Sequence, residues 1–368
     1  MFKIAKIEAF AVSVPLRSPI KMAGIEVRSA DNLIVRVRDQ DGTIGWGEAA
    51  SAPTMTGETL NGMVAAIRYM APQLEGNEVT DPHAIQFGFD RLMYGNHGAK
   101  AAIEIALLDL AGKRQNTPLY ELLGGKVRDD AIILTMVAGG DLATEIENTK
   151  QQVGAGFSSF KVKVGVNPPD RDLERVTIVR GVAGGDAQIS ADANQGYERD
   201  DAITFAQGAA QAGLDFMEQL VSGDDLAGMA ACAQASSVPL GADEGFHSMR
   251  DIRVHKEFGA ASGGSLKTIK FGGAQAVMDA SRLMRDLDMH VNLAGKLAET
   301  SIASAAIAHL AVAVPRLDWD ASVTNQYLAD DLVMDPIEIV DGRVRPNDVP
   351  GLGIHLSEEK LAKYVLNQ

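Results

Sequence analysis

Two lysines lie two residues apart in the stretch FKVKVG, where Lys161 and Lys163 alternate with apolar residues. This alternation is typical of a β-strand, in which side chains at positions i and i+2 point to the same face. A charged face of this kind usually lies in solvent or at the edge of a sheet. The alternative is that both ammonium groups face a site that requires positive charge, and the residues that follow favour this alternative.

Ionisable residues recur at the ends of the next four strand-like segments. From Lys163 the successive steps are 29, 26, 25 and 24 positions, and they lead to Asp192, Glu218, Asp243 and Lys267. Each step is the length of one strand and one helix, and the carboxyl ends of the strands of a (β/α)8 barrel form the mouth that carries active sites. We therefore expect three carboxylates on adjacent strands, with lysines on both sides of them.

Three carboxylates in the mouth of a barrel repel one another unless a cation compensates their charge. Oxygen ligands, without a thiol or a cluster of histidines, select a hard divalent ion, Mg²⁺ or alternatively Mn²⁺. Such an ion stabilises the enediolate that forms when a proton α to a carboxylate is removed. We predict that Asp192, Glu218 and Asp243 bind this metal.

The lysines supply the acid and base for this chemistry. A lysine acts as a base near neutral pH only when its pKa is lowered, and a second ammonium group and a nearby dication both lower it. Lys163 is the candidate base and Lys161 the neighbour that lowers its pKa. Lys267 would approach from the opposite wall, where it returns a proton to the other face or stabilises charge.

The elements that must position these residues form a repeating pattern. From about residue 131, short apolar segments alternate with amphipathic helical runs, and the predicted strands are AIILTMVA, FKVKVG, QISADAN, DFMEQL, PLGADEG, SLKTIK, HVNLA and RLDWD. The pattern predicts a (β/α)8-type barrel; a doubly wound sheet alternates in the same way, but no dinucleotide fingerprint or P-loop follows any strand. We expect an α+β domain over residues 1–126, the barrel over 127–326, and a segment over 327–368 that returns to the first domain.

Composition narrows the class of protein. The 368 residues are 46% hydrophobic and 23% charged, and the net charge of −15 argues against a nucleic-acid partner. The single cysteine, Cys232, excludes an internal disulfide and a cysteine-based zinc site. The first residues lack the layout of a signal peptide, and the most apolar window is shorter than a membrane span. We expect a cytoplasmic protein with a small-molecule carboxylate substrate and no membrane partner.

The chain resembles the enolase superfamily, in the muconate-lactonising-enzyme subgroup of the mandelate racemase/muconate lactonizing enzyme family. The similar stretches cover nearly the whole length; they are GWGEA, AKAAIEIALLDLAGKRQNTPLYELLGGKVRD, FKVKVGVNPPDRDLERV, ADANQGY, EQ, ADE, KTIKFGG, AETSIASAA and PGLGI. This resemblance implies an amino-terminal capping domain, a modified barrel of the (β/α)7β type, one essential Mg²⁺ and a homo-oligomer, either a dimer or an octamer.

The resemblance also implies roles for individual residues. The family's metal ligands match Asp192, Glu218 and Asp243. Its paired acid/base lysines match Lys163 and Lys267, and the first lysine of its motif matches Lys161. Positions around the metal or the substrate match Asn194, Glu244 and Glu299. Leu220 departs from the family, which usually has proline there; we expect it to alter the loop after the fourth strand without removing Glu218 as a ligand.

Two further stretches bear on the substrate. LDWD in the eighth predicted strand places Asp318 and Asp320 on one face, similar to the pair with which dipeptide epimerases of the subgroup hold a substrate ammonium. The alternative is two strand-end carboxylates with local partners. The segment PLRSPIKMAGIEVRSA is expected to form a mobile loop over the barrel mouth, with Arg17, Lys21 and Arg28 as candidate contacts.

These patterns favour a Mg²⁺-dependent racemase or epimerase of an amino-acid derivative, such as a dipeptide, an N-substituted amino acid or a proline derivative. A cationic amine would suit Asp318 and Asp320, whereas the dianion muconate would suit them poorly. The alternatives are a muconate-type cycloisomerase, a dehydratase of a hydroxy amino acid such as hydroxyproline, and a non-catalytic metal-binding scaffold. A scaffold would need no base, and the two lysines argue against it.

Overall fold

The computed structural model describes residues 1–22, 25–81, 85–138 and 141–366. Its amino-terminal part combines an antiparallel sheet, in the strand order β3-β2-β1-β4, with helices packed on one face. The strands are β1 (Phe2–Met22), β2 (Ile25–Asp39), β3 (Ile44–Ala50) and β4 (Glu78–Val79). The helices are α1 (Leu60–Leu74), α2 (Ile85–Leu92), α3 (His97–Gln115) and α4 (Leu119–Leu122).

A parallel barrel follows the short strand β5 (Ala131–Ile132). Its strands lie in chain order and are β6 (Leu134–Val137), β7 (Ser159–Lys163), β8 (Gln188–Asp192), β9 (Phe216–Glu218), β10 (Leu240–Ala242), β11 (Gly263–Leu266), β12 (His290–Ala294) and β13 (Ala321–Ser322). A parallel bridge between Ile133 and Ala321 joins the two ends. Apolar residues such as Phe160 and Val162 fill the interior between the strands and helices.

Helices connect each barrel strand to the next. They are α5 (Leu142–Gly154), α6 (Pro169–Ala183), α7 (Arg199–Ala212), α8 (Leu226–Ala235), α9 (Met249–Glu257), α10 (Thr268–Phe271) with α11 (Ala274–Asp286), and α12 (Ser301–Ala313). Seven helical connections between eight strands form a (β/α)7β barrel, so the predicted fold class is confirmed.

Helix α3 joins the amino-terminal sheet to the barrel and is buried along most of its length. It packs closely on β3, because a Cβ atom at Gly47 would lie only 2.0 Å from the carbonyl oxygen of Ala102. On its other side, the Glu104 carboxylate accepts hydrogen bonds of 2.9 Å from the backbone N–H groups of Ala274 and Gln275 at the start of α11. The close packing and these bonds hold the capping domain against the barrel.

The carboxyl-terminal segment returns along the first domain. It contains a 3₁₀ turn (Asn325–Tyr327), strands β14 (Ile339–Val340) and β15 (Arg343–Val344), and helix α13 (Glu358–Tyr364). β15 pairs with β5, and isolated bridges join Leu328 and Val365 to β1. The predicted domain boundaries at residues 126 and 326 remain a prediction.

Three local predictions are wrong. The strand predicted over SLKTIK ends at Leu266, because the chain turns into α10 and so directs Lys270 inward to the Asp243 carboxylate. The strand predicted over RLDWD begins only at Ala321, because Asp318 instead accepts a hydrogen bond from the backbone of β12. The segment predicted as a capping loop forms the distal part of the β1–β2 hairpin, which is paired as far as Met22 and Ile25.

No helix in the described ranges is long and apolar enough to cross a membrane. Cys232 is a free thiol and is fully buried in α8, as its apolar surroundings in the sequence predict.

Candidate active site

The carboxyl ends of β7, β8 and β9 place three predicted residues side by side. In the parallel register Lys163 lies opposite Asp192, and Asp192 lies opposite Glu218. Asp243 and Lys267 immediately follow β10 and β11. Neighbouring strands are about 4.8 Å apart, so these residues line one continuous arc of the barrel mouth.

Lysine side chains pair with each of the three carboxylates. Lys163 Nζ donates to Asp192 Oδ2 at 2.6 Å. The Lys161 ammonium lies between two carboxylates, because it donates to Glu218 and is 3.8 Å from Asp192 Oδ2. All of these carboxylates are almost completely buried, so each ammonium group compensates a charge that has little access to water.

Asp243 has two lysine partners, because Lys267 donates to Oδ2 and Lys270 donates to Oδ1 at 2.6 Å. Lys270 also donates to the backbone carbonyls of Asp243 and Ser265. Lys270 is fully buried and was missed in the sequence, although its position one helical turn after Lys267 could have indicated that both face the same site.

Burial and ion pairing act in opposite directions on the pKa values of the site. Burial raises the pKa of Asp192, but the Lys163 and Lys161 ammonium groups outweigh burial and hold this pKa below its usual range. Burial lowers the pKa of Lys161, but Glu218 and Asp192 outweigh it and raise this pKa. The pKa of Lys267 is raised in the same way, against burial, by Asp243 first. Without a dication, these two lysines are therefore held in the charged form.

Asn194 and Glu244 extend the polar wall of the site. Asn194 Oδ1 accepts a hydrogen bond of 2.7 Å from Lys163, and its Nδ2 donates to Glu244 Oε1 at 3.3 Å. Burial, followed by the charges of Asp243 and Asp192, raises the pKa of Glu244 to about 7. Both residues line the same cavity as the lysines.

Glu299 lies behind the cavity wall, at the start of α12. Its side chain is almost fully buried, and burial together with the nearby Glu48 carboxylate raises its pKa to about 8. Glu48 itself accepts hydrogen bonds from the N–H groups of Thr300 and Ala303, which joins β3 of the capping domain to α12. Glu299 is therefore close to the site without lining it.

Asp318 and Asp320 lie at the other end of the barrel. Asp318 accepts hydrogen bonds from Arg316 Nε at 2.9 Å and from the backbone N–H of Val291 at 3.0 Å, close to the start of β12. Asp320 lies near Ser159, the first residue of β7, and burial raises its pKa to about 6. Neither residue lines the cavity, so the structure does not bring them to the predicted site. Their local partners match the alternative reading of the sequence.

Two of the three candidate contacts in the first hairpin, Arg17 and Arg28, have partners of their own. Arg17 Nε donates to the carbonyl oxygen of Leu328 at 2.8 Å, and Arg28 forms an ion pair with Glu26 while its side chain is 74% exposed. The side chain of Lys21 lies outside the described part of the structure. The capping domain instead reaches the cavity through Thr54 and Met55, which the sequence pattern did not indicate.

Leu220 lies in the loop after β9, and its predicted effect on this loop remains a prediction. Its side chain is fully buried, and its carbonyl oxygen accepts a hydrogen bond from the Tyr197 backbone. The preceding Gln219 accepts hydrogen bonds from the N–H groups of Asp243 and Gly245, and so connects the loop after β9 with the loop after β10.

The cavity enclosed by these residues has a volume of about 210 Å³. Charged groups concentrate on β7, β8, β10 and β11, and the opposite wall is formed by the ends of β12, β13 and β6. This second wall contributes the apolar side chains of Leu134, Met136 and Val323 together with Tyr327 and Lys296. Lys296 was not predicted from the sequence, because it precedes the AETSIASAA stretch and matches no position of the motif.

The donor set of the site fits a hard divalent cation. Asp192, Glu218 and Asp243 offer only oxygen atoms, and the Lys161 ammonium already occupies a cationic position between two of them. Over the described residues, no three His, Cys, Asp or Glu side chains are arranged to surround one ion. The carboxylates are turned towards lysines, so a bound cation would have to replace an ammonium group.

A (β/α)7β barrel with two lysines and three carboxylates along one arc of its mouth, covered by an α+β domain, defines an enzyme of the enolase type. Comparison with known proteins agrees. Residues 144–360 match the model "Enolase C-terminal domain-like", and residues 4–124 match "Mandelate racemase / muconate lactonizing enzyme, N-terminal domain". The chain belongs to the mandelate racemase/muconate lactonizing enzyme family, which confirms the resemblance.

Individual relatives are similar over their whole length. The chain is 33% identical to muconate cycloisomerase 1 of Pseudomonas putida over 98% of both chains, and 30% identical to the L-Ala-D/L-Glu epimerase of Bacillus subtilis over 96% of both. Its structure is similar to that of muconate lactonizing enzyme from Pseudomonas fluorescens complexed with muconolactone, with a TM-score of 0.95 at 30% identity, covering 99% of this chain and 100% of the other. N-succinyl Arg/Lys racemase from Bacillus cereus ATCC 14579 superposes with a TM-score of 0.93 at 28% identity, covering 99% of this chain and 98% of the other. These relatives are isomerases by name, in agreement with the predicted enzyme class.

Proposed function

We propose that the protein is a racemase or epimerase that removes the proton α to the carboxylate of an amino-acid derivative and returns a proton to the opposite face. The observation that carries this proposal is the placement of Lys163 at the end of β7 and of Lys267 directly after β11, the second and sixth strands of the described barrel. Strands four positions apart in an eight-stranded barrel face each other, so Lys163 and Lys267 approach a bound substrate from opposite sides.

Each lysine is oriented by neighbours that hold its amine at a defined place. Lys163 donates to Asp192 and Asn194, and Lys267 donates to Asp243. One lysine in the neutral form accepts the α proton from one face, while the other, charged, donates a proton to the opposite face. The configuration at the α carbon is then inverted, and reversal of the roles catalyses the reverse reaction.

We propose that Asp192, Glu218 and Asp243 hold a Mg²⁺ ion, with Mn²⁺ as an alternative. A divalent cation bound there would stabilise the negative charge that the substrate carboxylate gains on losing the α proton. The Lys161 ammonium would leave its place between the carboxylates and remain beside Lys163. The predicted homo-oligomer and cytoplasmic location remain predictions.

A second candidate is a muconate-type cycloisomerase, favoured by the 33% identity with muconate cycloisomerase 1. The local hydrogen bonds of Asp318 and Asp320, away from the residues that line the cavity, also support this candidate, because carboxylates beside the substrate would repel a dianion. A dehydratase would need a leaving group on the β carbon of its substrate, and it shares the first proton-abstraction step.

Exchange of the α proton in D₂O tests the leading proposal. The Mg²⁺-loaded protein is incubated with N-succinyl amino acids, L-Ala-L-Glu, proline derivatives and cis,cis-muconate, and products are followed by NMR and mass. We expect deuterium in both epimers of a substrate, and we expect Lys163→Ala and Lys267→Ala each to slow exchange from one epimer by about 10²–10⁴-fold. Lys256→Ala, which changes an exposed lysine on α9, serves as the control.

The remaining outcomes separate the alternatives. Conversion of muconate to a lactone of the same mass, without exchange of any amino-acid derivative, would favour the cycloisomerase. Loss of 18 mass units would indicate dehydration. Turnover that survives Lys163→Ala at the wild-type rate would show that Lys163 is not the base.

A further inference from the structure

Lys296 is the charged residue of the cavity that the proposed chemistry does not use. It follows β12 and lines the wall opposite the carboxylates, which is formed by the ends of β12, β13 and β6. Among the described residues of this wall, it is the only one with a charged side chain. Its Nζ has no hydrogen-bond or ion-pair partner among the residues that the structure describes. Lys296 is partly exposed in this cavity, so an anionic group of a ligand that enters the cavity can form a charge-assisted hydrogen bond with its amine.

The backbone around Lys296 is held firmly, although its amine is free. Its carbonyl oxygen accepts a hydrogen bond of 2.7 Å from Thr324 Oγ1, and the N–H of the preceding Gly295 donates to the carbonyl oxygen of Ser322 at 2.9 Å. A Cβ at Gly295 would lie only 2.5 Å from Glu299 Oε2, so this turn packs tightly on the start of α12. The side chain therefore projects from a fixed base.

The charges that face Lys296 do not neutralise it. Its neighbours include Lys267 and Lys163, which together with burial lower its pKa to about 8. Among the carboxylates, Glu299 does most to favour the charged form of Lys296. However, burial and the Glu48 carboxylate raise the pKa of Glu299 to about 8, so Glu299 is mostly protonated at neutral pH. Lys296 is mostly charged at pH 7, and no described carboxylate forms an ion pair with it.

The other polar groups of this wall are already engaged. Ser322 Oγ donates to the carbonyl oxygen of Leu134 at 3.0 Å, and Tyr327 accepts a hydrogen bond from the backbone of Met136. A substrate whose reacting carbon lies between Lys163 and Lys267 thus meets, on the wall away from the carboxylates, apolar surface and the Lys296 amine, which has no partner in the described part of the chain. This arrangement suits an aliphatic chain that ends in an anion.

We propose that Lys296 binds a second anionic group of the substrate, remote from the carbon that loses its proton, and so selects substrates with two acidic groups. This proposal rests on the proposed function and refines it. Asp318 and Asp320 had suggested that the protein recognises a substrate amine, whereas Lys296 indicates that it recognises a substrate anion. The second acid can belong to an N-acyl group or to the amino-acid side chain. Both offer the same carboxylate to Lys296.

Two matched substrate pairs test the proposal and distinguish these sources. N-succinyl-L-leucine and N-butanoyl-L-leucine differ in a terminal carboxylate on the acyl group, whereas N-acetyl-L-glutamate and N-acetyl-L-glutamine differ in a carboxylate on the side chain. We expect kcat/KM for α-proton exchange to be at least tenfold higher for the acidic member of one pair. Lys296→Met should reduce that ratio to about one, and Lys296→Arg should retain most of it because the charge remains.

Lys150→Met removes an exposed lysine on α5 and should leave the ratio unchanged. The proposal is overturned if the wild type prefers the acidic member of neither pair, or if Lys296→Met lowers kcat/KM for both members of a pair by the same factor. In the second case Lys296 would act in the chemistry or in folding rather than in selection. Lys296→Gln provides a second neutral variant if Lys296→Met does not fold.

Binding separates failure of this proposal from failure of the proposed function. If none of the four compounds exchanges its α proton, the racemase assignment fails for these substrates, and calorimetric titration of the same compounds then decides the role of Lys296. Tighter binding of the acidic member by the wild type, lost in Lys296→Met, supports the anion site. Equal binding of both members, or no binding at all, refutes it.

Discussion

Replacement of Lys161 by methionine tests whether the three carboxylates form a cation site. The Lys161 ammonium lies between Glu218 and Asp192, and its side chain is only 11% exposed. Removal of one partner of a buried ion pair costs about 3–5 kcal/mol, because the other charge remains buried and unpaired. We therefore expect Lys161→Met to lower the free energy of unfolding by about 3 kcal/mol in EDTA.

The same substitution should strengthen metal binding. In the wild type a cation competes with the Lys161 ammonium for Glu218 and Asp192, whereas in the variant Glu218 no longer has this lysine partner and Asp192 keeps only Lys163. If a bound Mg²⁺ recovers the full 3 kcal/mol, its affinity rises by up to about 100-fold, since about 1.4 kcal/mol corresponds to a factor of ten. Calorimetric titration of metal-free protein with Mg²⁺ measures this affinity directly, and unfolding with and without Mg²⁺ measures the linked stabilisation.

A matched variant in the capping domain controls for the loss of a buried ion pair. Lys113 donates to the fully buried Asp109 carboxylate at 2.7 Å, far from the barrel mouth. Lys113→Met should also destabilise the protein but should leave Mg²⁺ affinity unchanged. If Lys161→Met binds Mg²⁺ no more tightly than the wild type, the three carboxylates do not share a cation and the proposed chemistry loses its electrophile.

Two other predictions follow from groups outside the cavity. Burial lowers the pKa of His309 to about 4, so its neutral form is favoured in the folded state, where it accepts a hydrogen bond from the Tyr120 backbone. As the pH falls, the histidine of the unfolded chain is protonated first, so the free energy of unfolding should fall by about 3 kcal/mol between pH 6.5 and 4 and should keep its full value above pH 6.5. Urea denaturation of His309→Gln should show a smaller fall over the same pH range. If the variant loses as much stability per pH unit as the wild type, this prediction is contradicted. Asp318→Asn breaks the contacts with His290 and Arg316 at the far end of the barrel, so kcat/KM should change less than about twofold while stability falls by about 1 kcal/mol. A tenfold loss of kcat/KM without loss of stability would instead place this carboxylate at the substrate.

The positions of Lys163, Asp192 and Glu218 at the barrel mouth could be predicted from the sequence because they depend on short-range periodicity. Alternation in FKVKVG indicated a strand, and β7 does end at Lys163. The regular intervals to Asp192 and Glu218 reflect one strand and one helix each, and β8 and β9 end at these residues. Order along the chain is sufficient here, since parallel strands of a barrel place their carboxyl ends at the same edge.

The end of the barrel at which Asp318 and Asp320 lie could not be predicted. The two residues precede a strand of two residues, and apolar alternation does not show where so short a strand begins. A shift of three residues in the assumed strand moves a side chain from one end of the barrel to the other. Hydrogen bonds from β12 to Asp318 decide the actual placement, and these join residues 27 positions apart in the chain.

The sequence by itself determined the barrel, the series of lysines and carboxylates in its mouth, and the class of chemistry they support. Each of these features follows from local residue patterns that repeat along the chain. Only the tertiary structure decided which side chains surround the cavity. Met55 enters it from the amino-terminal part of the chain, Lys270 turns inward on a short helix to pair with Asp243, and Lys296 lies opposite the carboxylates without a partner among the described residues. These features depend on contacts between residues far apart in the chain. Such contacts produce no periodic pattern of residues, so they could not be predicted from the sequence.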